Sequence, residues 1–109
     1  MAETAQSKEG TFEVLWPLSR RAVTGAKAAA RLPDLNDKVV CELWDVIFRG
    51  ETIYPLVREH IKKRFPRVKF VSYEEFGNFH GAREHQVSAT IPDKLRQHQA
   101  DAVIVGIGA

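Results

Sequence analysis

The chain has 109 residues, 44% of them apolar and 28% charged, with a net charge of +2 and a single cysteine. Such a length suits one domain and such a composition an ordinary globular protein; the weak net charge argues against a nucleic-acid partner, and a lone cysteine excludes an internal disulfide. No apolar run approaches the roughly 20 residues that span a bilayer, and the polar residues 1–10 lack the apolar core of a signal peptide, so a cytoplasmic protein with no membrane partner is expected.

In chain order, residues 1–37 read as an extended or helical N-terminal arm and residues 38–109 as an α/β half-domain. Residues 1–10 are small and polar and read as disordered. Residues 11–18 (Thr-Phe-Glu-Val-Leu-Trp-Pro-Leu) are too short to carry their own core and are expected to lie across another surface. The alanine-rich stretch 20–32 permits a helix, and Pro33-Asp-Leu-Asn-Asp37 is a turn-forming lead-in.

Residues 38–45 (Lys-Val-Val-Cys-Glu-Leu-Trp-Asp) are nearly continuous in apolar groups, as a parallel strand covered on both faces should be. After a loop containing Arg49 and Gly50, a helix is expected over 52–65, with Thr52 as N-cap and Pro55 in its first turn. Its buried face would be Ile53, Leu56, Val57, Ile61 and Phe65; Pro66 ends it. A second strand follows over 69–73, then the loop 74–81, a helix over 83–99 divided or kinked at Pro92, and a third strand over 101–105. Strand, helix, strand, helix, strand is a three-stranded parallel half of a doubly wound, Rossmann-like sheet, in which right-handed crossovers place the first strand between the other two. The third strand then forms a bare margin, so a partner chain is expected to complete the sheet and a hetero-oligomer to result.

Charge is uneven along the chain: residues 38–72 hold eight basic and four acidic groups, residues 73–109 three and five. Lys62, Lys63, Arg64, Arg67 and Lys69 crowd the end of the first helix, where cations meet the negative end of its dipole. A solvated helix end is the plain reading, a phosphate-binding patch the sharper one.

Ligands of parallel α/β sheets bind beyond the carboxyl ends of the strands. Three segments converge there by topology: 44–52, 73–81 and 106–109. Among them His80 is a candidate general acid/base, with a loop-bracing histidine as the alternative, and Asp45 a second candidate catalytic group. Arg49, beside the helix start at Gly50, is a candidate for holding an anionic substrate, or pairs with Asp45 or Glu51 to fix the loop. Asn78 is a further polar contact, while Gly106 and Gly108 allow a backbone or ligand to approach closely. Gly-x-Gly without the third glycine is a weak dinucleotide signature, and four scattered histidines show no metal-ligand spacing, so neither cofactor nor metal is expected. Cys41 lies in an apolar strand, where thiols pack rather than react. Glu42 in the same strand needs a partner if buried, and Lys38 or a residue of another chain is expected to supply it.

The residues Lys38-Val-Val, Leu43-Trp-Asp, Phe48-Arg-Gly-Glu, Arg64-Phe-Pro-Arg-Val-Lys-Phe-Val and Asp101-Ala-Val-Ile-Val-Gly-Ile-Gly resemble the amino-terminal half of the UGSC-like proteins, which are named for a selenocysteine- or cysteine-Gly-Ser-Cys motif. The resemblance covers about residues 31–109. In that family the strand ending Val-Gly-x-Gly leads into the motif, which this chain does not contain. The resemblance therefore implies that the nucleophile belongs to a second polypeptide, the C-terminal half, made by autoproteolytic cleavage or encoded separately. The expected function is a subunit of a cysteine-dependent enzyme acting on a small organic molecule by thiol redox, lyase or hydration, or hydrolytic chemistry. A non-catalytic subunit that merely completes the partner's sheet is the alternative.

Overall fold

The computed structural model describes residues 10–17 and 25–108. The chain divides after Ala30 into a first unit and an α/β unit, so Arg31 and the turn residues that follow it belong with the sheet. In the first unit the described residues form no helix or strand and are exposed, including Phe12, Val14, Leu15 and Trp16. Residues 25–32 form no helix; the expectations for residues 1–9 and 18–24 lie outside the described residues.

The α/β unit runs β1 (Val39–Trp44), α1 (Gly50–Arg64), β2 (Lys69–Val71), a 3-10 turn (Tyr73–Glu75), α2 (Glu84–Gln97) and β3 (Ala102–Gly106). The sheet is parallel, in the order β2-β1-β3, with Val39 opposite Lys69 and Val40 opposite Ala102 at the start of each ladder. The central place of β1 matches the apolar continuity of its sequence, since only the middle strand must hide both faces. Its odd-numbered residues, Cys41 and Leu43, pack with Phe76 against Ile91 and Leu95 of α2. Its even-numbered residues meet α1, where Arg58 grips Glu42 and the Tyr54 hydroxyl donates to the Leu43 carbonyl. The two helices therefore cover opposite faces of the sheet.

Element ends differ from expectation for local reasons. Helix α1 begins at Gly50 rather than Thr52, because Gly50 slides under the Trp44 indole: a Cβ there would lie 2.5 Å from a ring carbon. Arg49 is the N-cap, offering its carbonyl to the amides of Thr52 and Ile53 instead of a side chain. The buried face of α1 is Tyr54, Val57, Arg58, Ile61 and Phe65, whereas Ile53 and Leu56 are exposed. Tyr54 and Arg58 reach the strand through their polar tips, and this rotates the helix away from the purely apolar stripe.

β2 stops at Val71 because Ser72 accepts from the Glu74 amide and turns the chain. Helix α2 passes unbroken through Pro92, whose ring sits on the exposed side, where the unpaired carbonyl one turn back faces water. It ends with Gln99 in the left-handed region (φ 53°) and the Ala100 amide bonded back to the Leu95 carbonyl, a Schellman arrangement with glutamine in glycine's usual place. Asp101 then ties β3 to β1, its carboxylate accepting from the Val39 amide at 2.9 Å. Among the described residues no helix is long and apolar enough to cross a membrane.

Candidate functional site

The strand order makes a switch point between β1 and β3: the chain leaves β1 over one face through α1 and arrives at β3 over the other through α2. At such points the loops beyond the strands part and leave a crevice. Here the parting loops are held by Asp45. It is 2% exposed; one carboxylate oxygen accepts from the Ile47 amide at 3.2 Å and the other from the Gly108 amide at 2.8 Å. The Asp45 amide donates in turn to the Gly106 carbonyl. Between these anchors Val46 adopts φ 64°, a left-handed conformation that a β-branched residue takes only under constraint, at a cost of about 1–3 kcal/mol. The carboxylate of Asp45 is thus a brace across the switch point, with both oxygens engaged by backbone.

Four aromatic rings line the α1 side of this point. Trp44 makes edge-on contacts with Tyr73 (centroids 4.9 Å apart) and Phe48 (5.9 Å), and Tyr54 lies 5.3 Å from Tyr73. The Trp44 Nε1 is buried without a hydrogen-bond partner. Gly106 is needed because a Cβ would strike the Phe48 ring and the Tyr54 hydroxyl, and Gly108 because one would strike Ile47. The close approach expected at these glycines is therefore made by the chain's own side chains. Burial, the Glu42 carboxylate and more weakly Asp45 push the Tyr54 phenol above its ordinary pKa, against a lowering contact from the Gly106 amide.

Sequence reasoning singles out Glu42 but misses the residue that pairs with it. Glu42 is fully buried, and Arg58 closes on it with two hydrogen bonds of 2.7 and 2.8 Å. Its partner is thus neither Lys38 nor a second chain: α1 supplies it, sixteen residues on. The bond to Glu42 holds the Arg58 guanidinium above its usual pKa despite partial burial, and the guanidinium stands 5.9 Å from the Tyr73 ring. The signal lay in the helical spacing of Tyr54 and Arg58, four apart on the face turned to β1.

The remaining candidates fall into two places. Arg49 is exposed and pairs loosely with Glu51 at 3.7 Å, not with Asp45. Asn78 accepts from the His80 amide at 2.9 Å, forming an Asx turn beyond β2 that leaves His80 exposed. Among the described residues no hydrogen bond or ion pair joins Asn78 and His80 to Asp45 and Arg49. His98 is half-buried with its ring 5.8 Å from Phe76. Cys41 is wholly buried, and burial followed by the neighbouring Glu42 charge raises its pKa, so it stays a protonated packing thiol. Among the described residues no three histidine, cysteine or carboxylate side chains are grouped to hold a metal ion.

Compared with protein-family models, with curated proteins and with solved structures, the chain matches none.

Proposed function

We propose that the chain is one half of a Rossmann-like, UGSC-like enzyme acting on a small organic molecule, its nucleophilic cysteine carried by a second polypeptide that completes the sheet beside β3. The observation that carries this reading is the switch point itself: a buried carboxylate, Asp45, and a strained Val46 fix the loop after β1 against the chain that leaves β3. Strain of that kind persists where surrounding structure over-determines it, and such places cluster at ligand sites. Cys41 is sealed and protonated, so the reactive thiol comes from elsewhere. In this reading Asp45 acts by positioning the loop, Arg49 meets an anionic group of the substrate, and His80 with Asn78 forms an exposed acid/base element at the rim. The reaction is of the thiol redox, lyase or hydrolytic type, in a cytoplasmic hetero-oligomer.

A second reading, a non-catalytic subunit that completes the partner's sheet, is favoured by one observation: both oxygens of Asp45 are already occupied and His80 is not bonded to it. One experiment decides between them. The chain is purified under native conditions from its own cells and weighed by native mass spectrometry, then treated with iodoacetamide near pH 7. The enzyme reading expects a complex whose second polypeptide carries a rapidly alkylated cysteine while Cys41 stays unlabelled. A complex with no reactive thiol supports the structural subunit, and a lone 12.3 kDa chain removes both.

A further inference from the structure

The two margins of the sheet are unlike. β2 is three residues long, begins with the exposed Lys69, and has the Lys62 ammonium 5.8 Å from the Phe70 ring. Short strands and lysines are the usual guards against edge pairing. β3 has no guard: from Ala102 to Gly108 there is no charge and no proline.

The two faces of β3 are also unlike. On the α1 face Ala102, Ile104 and Gly106 are half-buried, Gly106 lying against Phe48 and Tyr54. On the α2 face Val103 and Val105 are 38% and 51% exposed, and Ile107 beyond them 72%. Helix α2 does not cover them, because its apolar side sits over Cys41, Leu43 and Val71, on β1 and β2. Where α2 turns into β3 a groove of about 230 Å³ opens, lined by Leu95, Arg96, Gln99, Asp101 and Val103.

We infer that this groove and the α2 face of β3 receive an amphipathic helix of the second polypeptide, whose following strand pairs parallel to β3; the inference rests on the function just proposed. The geometry selects that occupant over a second copy of this chain. Two copies joined through β3 would set their α2 axes about four strand spacings apart, roughly 19 Å, whereas packed helices stand about 8–10 Å apart. A slot about one helix wide would stay open above Val103 and Val105 in both copies. A helix laid beside α2 fills that width at once. It takes the place that a right-handed connection leading onward from β3 would give its helix, since steps in one direction across a sheet keep to one face. Its contact side is apolar where it meets Val103 and Val105 and polar where it meets Arg96 and Asp101 in the groove.

The test uses the complex purified through this chain. Val103→Cys and Val105→Cys, each labelled with benzophenone maleimide, are photo-cross-linked and mapped by mass spectrometry; the buried Cys41 takes no label. Attachment to the second polypeptide, at positions that shift by three or four residues between the two probes, supports a helix. Val105→Lys should weaken the complex at least tenfold, while Leu56→Lys, equally exposed on α1, should not. An intact complex whose cross-links fall on a second copy of this chain, on this chain itself, or at alternating positions of a strand overturns the inference and leaves the proposed function standing. Absence of any second polypeptide overturns both.

Discussion

Removing the Arg58 guanidinium is the most direct way to ask what holds α1 on the sheet. In Arg58→Ala the Glu42 carboxylate, 0% exposed, loses both of its charge-assisted hydrogen bonds. Leaving a buried charge unpaired costs about 3–5 kcal/mol. The Arg58 side chain is 27% exposed, so water reaches the vacated space and the lower part of that range, about 3–4 kcal/mol, is expected. For a unit of this size each kcal/mol moves the melting temperature by about 4–8 °C, so a fall of at least roughly 10 °C should appear in thermal unfolding followed by circular dichroism. Arg58→Lys keeps the charge but not the two-pronged grip and should fall between. The double change Glu42→Leu with Arg58→Met, which removes both charges, should cost less than Arg58→Ala alone. A single mutant that melts within 2–3 °C of the parent, less than about 1 kcal/mol on that scale, would refute the view that this pair anchors the helix.

Val46→Gly tests the strained loop from the other side. The left-handed conformation at φ 64° costs a valine about 1–3 kcal/mol that glycine does not pay, against about 0.5–1 kcal/mol of extra backbone entropy lost on folding, so the urea midpoint should hold or rise slightly; a clear fall would mean the loop is unstrained. Alkaline stability follows from Tyr54 and Cys41, both of which are neutral when protonated and have folded pKa values raised by burial from 10.0 and 9.0. Their contribution is complete below those ordinary values and is lost as pH climbs through the folded ones. Unfolding titrations should therefore show stability declining from about pH 9 upward, and less steeply in Tyr54→Phe; a flat profile to pH 11 would contradict the burial.

Where sequence reasoning succeeded, side-chain pattern and environment coincided. β1 was legible because Val39 to Trp44 is apolar almost without interruption, and the central position of that strand followed from the alternation of strands and helices. The face of α1 was misread because Tyr54 and Arg58 carry polar heads: a hydrophobic stripe counts Ile53 and Leu56 instead, although it is the tyrosine hydroxyl and the guanidinium that reach the strand. Pro92 suggests a division or kink because an absent amide matters in a buried helix, yet on the exposed side its missing bond is made good by solvent. At Gly106 and Gly108 the sequence suggests the approach of a backbone or a ligand, whereas the groups that crowd them are the side chains of Phe48, Tyr54 and Ile47, which composition cannot specify. The brace made by Asp45 depends on a carboxylate meeting an amide sixty-three positions away, a relation no local pattern encodes.

The two tryptophans of the chain occupy opposite environments. Trp44 is 8% exposed, sandwiched at the α1 start by Gly50 and ringed by Tyr73 and Phe48, while Trp16 is 77% exposed. Nature has thereby installed two optical reporters in one molecule: iodide added to the solution silences the outer indole, and the short-wavelength emission left behind is a gauge of the place where the first strand hands over to its helix.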